Sequence, residues 1–206
     1  MSFYDNHILP HLIAFTCSQP QIMKKRSQVV PAARGRVLEV GFGSGTNLDF
    51  YDPARVDHLF ALEPSAGMRR KAADAIDRSP LSIDWLDLPG EEIPLDNNSV
   101  DTVVLTYTAC TIPDAAAALA QMRRVLKPGG QLLFSEHGAA PDPGIATWQR
   151  RIEPVWKPIA GGCHLTRKPD VMLEEAGFRL ASIERAYLPK SPKFAAFNYS
   201  GCAVPV

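Results

Sequence analysis

Two short runs in this sequence carry residue types whose spacing suits a polar organic ligand. In VLEVGFGSGTN, residues 37–47, the glycines Gly41, Gly43 and Gly45 fall at alternate positions directly after an apolar run. Gly41 and Gly43 permit a tight turn and a close backbone approach, and free amides opening a following helix suit a carboxylate or another anion. The amino-acid end of a ligand matches that chemistry. The dinucleotide fingerprint spaces its glycines G-x-G-x-x-G, whereas this run reads G-x-G-x-G and has Thr46 where the third should stand, which disfavours NAD. The second run, Phe60-Ala61-Leu62, is followed at once by Glu63 and the helix breaker Pro64. If the two apolar runs are neighbouring strands, Glu63 stands beside the glycine turn and can accept both hydroxyl hydrogens of a ribose. The plainer alternative is a solvated carboxylate capping a helix near Ser65.

The elements that must position these residues follow from periodicity. From Arg36 onward, β-rich runs alternate with helical stretches, the pattern of a parallel sheet covered on both faces. The runs are Val37 to Val40, His58 to Leu62, Ser82 to Leu86, Thr102 to Thr106 and Gln131 to Ser135. Between the last two, the alanine-rich stretch from Asp114 to Leu126 predicts a helix ended by Lys127, Pro128, Gly129 and Gly130. A further helix is expected from about Pro169 to Ala176, with Gly177 just past its end. Two strands, about Arg179 to Leu188 and Phe194 to Val204, complete an antiparallel hairpin around Pro189 to Pro192. The expected fold is therefore α/β, a seven-stranded doubly wound sheet, mostly parallel with a C-terminal antiparallel hairpin. Residues 1–34 read as a helical appendage or lid, with Ile8, Leu9, Leu12 and Ile13 at helical spacing, and residues 35–206 read as the main domain. The basic triplet Lys24, Lys25 and Arg26 is expected to be a solvated face.

Composition narrows the class. The chain has 206 residues, enough for one core and a modest lid, and 22 basic against 22 acidic residues give a formal net charge of zero. A neutral chain lacks the electrostatic footprint of a general nucleic-acid binder, so no nucleic-acid partner is expected and a small substrate is favoured. No stretch is long and apolar enough for an integral membrane segment, and no export signal opens the sequence, so a cytoplasmic protein is expected. Cys17, Cys110, Cys163 and Cys202 form no CxxC pair, so neither a zinc site nor a redox pair is expected; His7 and His11 have helical metal-pair spacing but no third ligand nearby. Oligomeric state stays open.

Together, the glycine turn, Glu63, the stretch PGEEIPLDNNSVDTVV (residues 89–104) and RRVLKPGGQLLF (residues 123–134) resemble class I S-adenosylmethionine (SAM)-dependent methyltransferases, across about residues 36–136. Within that family the likeness is to the small-molecule enzymes of the ubiquinone-type group. The resemblance implies SAM as cofactor, bound through Glu39, Gly41, Phe42, Gly43, Gly45 and Asn47, with Glu63 and Pro64 at ribose. It places adenine at Pro89, Gly90 and Glu91, where Pro89 replaces the acid often found in the family. Thr106, Tyr107 and Cys110 fall in the segment that passes beneath the methionine. In the second half, SEHGAA (residues 135–140), Trp148, Gln149, Pro154, Trp156 and GCHLTR (residues 162–167) resemble animal methyltransferase-like proteins associated with thiol S-methylation. That likeness implies an acceptor wall of Trp148, Trp156, Cys163 and His164. Where a base is used, His137 and His164 are the candidates, because imidazole accepts a proton near neutral pH. The expected activity is methyl transfer to a small-molecule acceptor, possibly a thiol. The alternatives are C- or O-methylation of a quinone-like or other metabolite, a nicotinamide-dependent oxidoreductase, and a non-catalytic SAM-binding sensor.

Overall fold

The computed structural model describes Tyr4 and residues 7–206. Seven strands form one sheet: β1 (Gly35–Val40), β2 (Val56–Leu62), β3 (Ile83–Leu86), β4 (Val100–Thr106), β5 (Leu126–His137), β6 (Phe178–Tyr187) and β7 (Phe197–Pro205), in the order β3-β2-β1-β4-β5-β7-β6. The first five are parallel, and β7 runs antiparallel to both β5 and β6. The doubly wound sheet and the C-terminal antiparallel pair agree with the sequence expectation. Strand order reverses between β1 and β4, and such a switch point opens a crevice beyond the strand ends.

Alternation along the strands divides the core into two layers. Leu38, Val40, Val103, Leu105, Leu132 and Phe134 face one side and meet α4 (Ala115–Val125) and α6 (Pro169–Glu175) through Leu119, Met122 and Leu173. Val37, Val104 and Leu133 face the other side with Val29, Val30 and Ala72, from the N-terminal segment and α3 (Ala66–Arg78). Both faces are dry, which is why the central strands read as nearly continuous apolar runs. Side-chain caps start two of the helices, Ser65 Oγ accepting from Met68 N at 3.3 Å and Asp114 Oδ1 from Ala117 N at 2.9 Å.

Two departures from the sequence expectation matter for the site. The glycine turn is not followed by an α-helix but by a single 3-10 turn, Leu48–Phe50, because only residues 48–55 separate it from β2. That stretch is shorter than the dozen or so residues of a helical crossover. The N-terminal segment supplies the missing cover: α1 (Leu9–Cys17) and α2 (Pro20–Val29) lie on the molecule, with Val29 and Val30 in the core. The second departure is α5 (Pro143–Ile159), which has Pro154 and Pro158 inside it. Interior prolines argue against a helix, and the sequence pattern did not give one here; the fully buried Gln149 pins it through Ala140 N, Gly138 O and Phe194 O. The C-terminal pair is joined by the short α7 (Lys193–Ala196). Among the described residues, no helix is long and apolar enough to cross a membrane.

Candidate functional site

A cavity of about 280 Å³ opens beyond the ends of β1, β2 and β4, where the sheet topology places a crevice. The β1 loop forms its floor. Gly41 sits at φ +73°, and a Cβ there would lie 2.2 Å from Thr108 Cγ2, so the loop runs against the turn after β4 too closely for any side chain. Gly43 also lies in the left-handed region at φ +62°, and its amide points at the neighbouring strand.

Glu63 receives that amide. Its Oε2 accepts from Gly43 N at 2.9 Å and its Oε1 from Ser65 N at 2.8 Å, so one carboxylate ties the β1 loop to the start of α3. Burial raises the Glu63 pKa, and the Ser65 and Gly43 amides oppose that rise. The carboxylate retains free lone pairs and lines the cavity beside Pro64.

On another wall stands Arg26, carried in by α2. Its Nη1 donates to Asn47 Oδ1 at 2.8 Å and Thr106 Oγ1 at 2.7 Å, and its guanidinium lies 5.1 Å from the Tyr107 ring centroid. Arg26 is 4% exposed, and its Nε–H is buried with no partner. The expectation of a solvated basic face is thus corrected: Arg26 faces inward and Lys25 pairs with Glu184 at 2.7 Å. Ile22 and Val29 on the same helix and Val30 just past its end share the helical spacing of one inward face, a signal the sequence held but the charge obscured. A third wall carries Gly90 and Glu91. Glu91 Oε1 accepts from Asp114 N at 3.0 Å, whereas Oε2 is buried without a partner. From α1, Leu9, Ile13 and Cys17 close over the cavity, and Leu9 also packs where a Gly161 side chain would be.

Behind these walls lies a support layer. Glu39, 1% exposed, does not reach the cavity; it accepts from Asn47 Nδ2 at 2.9 Å and Tyr51 OH at 2.6 Å. Burial lifts its pKa to about 7, against the lowering pull of Tyr51, Arg26 and Asn47. Asn47 bridges Glu39, Thr106 and Arg26, and with Gly45 it shapes the loop from outside the cavity. Tyr107 lines the cavity from a left-handed backbone, φ 55°, held by Ser135 O through its amide and by Asn198 Oδ1 through its hydroxyl. Glu136 Oε1 accepts from Thr108 N and Ala109 N and so fixes the turn against which Gly41 packs; burial pushes its pKa to about 7.

The remaining residues singled out in the sequence lie off the cavity. Trp148 is 52% exposed on α5, and Trp156 packs edge-on against Phe194 with centroids 5.6 Å apart. His164 Nδ1 is 3.2 Å from Glu153 Oε1, and His11 Nδ1 is 2.8 Å from Lys71 Nζ. His137, Cys110 and Cys163 meet one another instead: His137 Nε2 is 3.1 Å from Cys163 Sγ, and Cys110 lies alongside. The neighbouring Cys110 and the His137 imidazole hold the Cys163 thiol far below its usual range, while that same arrangement and burial push Cys110 up. Arg26, Thr108, Glu136 and Asn198 are the site residues sequence reasoning missed, because only the tertiary fold brings them to the loop.

Comparison with known proteins places this architecture. A family described as "Methyltransferase domain" matches residues 38–134. Human thiol S-methyltransferase TMT1B is 36% identical over 171 residues, covering 78% of this chain and 69% of that protein. A demethylmenaquinone methyltransferase of Renibacterium salmoninarum is 35% identical over 101 residues, covering 49% of this chain and 40% of its own. The crystal structure of an S-adenosylmethionine-dependent methyltransferase from Mesorhizobium loti superposes with a TM-score of 0.64 at 16% identity, covering 90% of this chain and 98% of that one, a likeness of fold.

Proposed function

The chain belongs to the S-adenosylmethionine-dependent methyltransferases, and from that premise we propose that it transfers the methyl group to the sulfur of a small-molecule thiol. The observation that carries the choice of acceptor is the 36% identity to a thiol S-methyltransferase over most of the chain.

The cavity suits the cofactor. SAM combines an amino acid, a ribose and an adenine, and the walls carry the buried cation of Arg26, the Glu63 carboxylate with free lone pairs and the Glu91 carboxylate. We assign Arg26 to the methionine carboxylate, Glu63 to the ribose hydroxyls and Glu91 with Gly90 to the adenine edge. The β1 loop, through Gly41, Phe42 and Gly43, bounds the methionine portion. Arg26 takes over the anion-binding task that the sequence assigned to a helix N-terminus after the glycine turn.

When bound, SAM supplies an electrophilic methyl group on a sulfonium. The protein's share is then alignment and exclusion of water. Tyr107 and Thr106 form the wall beneath the methionine, fixed by Asn198, Ser135 and Arg26. Helix α1 serves as the lid, with Leu9 and Ile13 as its apolar underside. A free thiol, with a pKa of ~8.5, is already partly ionised at neutral pH, so the acceptor needs no strong base. The positions of His137 and His164 outside the cavity support that reading. Four free cysteines support a reducing compartment, the cytoplasm, as the place of work.

The test is formation of S-adenosylhomocysteine by purified protein with a panel of small thiols, phenols, quinols and amines, the methylated product being identified by mass spectrometry. Thiol-dependent turnover with an S-methyl product is expected. Turnover only with quinols would favour the second reading, C-methylation of a quinone-like acceptor, which the demethylmenaquinone relative supports over a shorter stretch. Tight cofactor binding without turnover on any acceptor would overturn both.

A further inference from the structure

Cys110, His137 and Cys163 come from three separate segments: the turn after β4, the end of β5 and the loop after α5. Their donor atoms all lie within 4.8 Å of one another, and the His137 Nε2 to Cys163 Sγ distance is 3.1 Å. The two cysteines are 4% and 7% exposed, so the cluster is built into the protein interior. Its frame is rigid. His164 N donates to Cys110 O at 2.9 Å and links the two cysteine-bearing segments, Gly138 N donates to Phe197 O at 2.9 Å beside His137, and Glu136 fixes the turn that leads to Cys110.

Two thiolate donors and one imidazole nitrogen are a soft donor set, the kind that selects zinc or another thiophilic cation over magnesium or calcium. Tetrahedral zinc holds sulfur at ~2.3 Å and nitrogen at ~2.0–2.1 Å, which sets donor atoms on the order of 3.5 Å apart. The observed cluster needs only small side-chain adjustments to reach that spacing: the His137 and Cys163 donors, 3.1 Å apart, open slightly, and every other donor pair already lies within 4.8 Å.

We propose that Cys110, His137 and Cys163 bind a thiophilic divalent cation of the zinc type, as three protein ligands with a fourth position left for an exogenous ligand. Sites of that composition keep an open position, whereas four-ligand structural sites are closed. The segments that carry the ligands also supply Thr108, Thr111 and Gly161 to the cavity wall, so the bound cation would brace that wall. This inference does not depend on which acceptor the enzyme methylates.

The experiment uses the full chain, treated with a chelator and a thiol reductant, exposed to Zn²⁺, and freed of unbound metal by gel filtration before its metal content is measured. In parallel, Co²⁺ reports the ligands through sulfur-to-metal charge-transfer absorption. The expected result is about one zinc per chain, a thiolate signature with Co²⁺, and affinity at least about tenfold weaker in Cys110→Ser, His137→Asn and Cys163→Ser, with Cys202→Ser unaffected. Affinity should fall as pH falls, because the ligands must lose protons to bind. If the variants fail to fold, the native chain still decides the matter. Zinc retained no better than by a protein lacking the cluster, or a Co²⁺ spectrum without thiolate absorption, would overturn the proposal. So would a native chain that binds no zinc and instead yields a Cys110–Cys163 cross-linked peptide when digested without reductant.

Discussion

Arg26 and Glu63 approach the same cavity from opposite parts of the chain, and each is committed on one side while free on the other. Glu63 gives two interactions to the backbone and Arg26 gives two to Asn47 and Thr106. A charged hydrogen bond lost from such a site costs ~1.5–3 kcal/mol, or about tenfold or more in affinity. Arg26→Met and Glu63→Ala should therefore each weaken S-adenosylhomocysteine binding at least about tenfold by calorimetry. Glu63→Ala should also lower stability, because the amides of Gly43 and Ser65 lose their acceptor. Affinity unchanged in Arg26→Met would remove Arg26 from the cofactor site and leave it a packing residue. Only one of the two was legible beforehand: Glu63 announces itself by ending a strand before a proline, whereas Arg26 is masked by two lysines that point elsewhere.

Among the elements, the β1 loop is the most constrained. Gly41 and Gly129 have nearly the same backbone conformation, φ +73° and +79°, yet a Cβ on Gly41 would strike Thr108 whereas one on Gly129 would meet nothing within 4 Å. The pair separates two effects that sequence alone merges. Gly129→Ala should cost only the left-handed backbone term, ~1–2 kcal/mol. Gly41→Ala should add the ~1–3 kcal/mol of overpacking and should also impair cofactor binding. Urea midpoints of the two variants test this, and equal losses would mean that the loop yields where the structure shows it tight. Helix α1 makes a second prediction at this scale. If Leu9 and Ile13 form the underside of a lid, the Leu9→Ser, Ile13→Ser double variant should release S-adenosylhomocysteine several-fold faster in stopped flow while leaving the melting temperature nearly unchanged. A large drop in melting temperature with an unchanged release rate would instead make α1 part of the core.

For the molecule as a whole, buried carboxyl groups tie stability to pH. Glu39 has its pKa raised from 4.5 to about 7, mainly by burial. Below pH 4.5 the group is protonated whether folded or unfolded; between 4.5 and about 7 the folded state holds a proton that the unfolded state releases, so this contribution is lost as pH rises through that window. The loss is on the order of 3 kcal/mol. Glu39→Gln keeps a neutral partner for Asn47 and Tyr51, and thermal melts should show a flatter pH dependence across the window than the native chain, with the same slope in both counting against the assignment. The net charge of zero, by contrast, says nothing of where the charges lie: one basic residue of an ordinary triplet, Arg26, is buried beside the cavity.

What the sequence determined by itself was whatever depends on neighbours along the chain. Strand periodicity, the helix at Ala115–Val125 with its Asp114 cap, the glycine loop and the acid at the end of β2 are local patterns, and parallel pairing of β1 with β2 follows once both are strands. The tertiary structure decided what depends on distance through space. It turned an expected helix after the glycine loop into a 3-10 turn, because too few residues remain before β2, and set Arg26 from α2 against the loop through Asn47. It built α5 through two prolines, which local propensity argues against but the packing of Gln149 overrides. It also drew Cys110, His137 and Cys163 together from positions with no readable spacing, because a sheet whose strand order reverses gathers the ends of strands that lie far apart in sequence at one edge of the molecule.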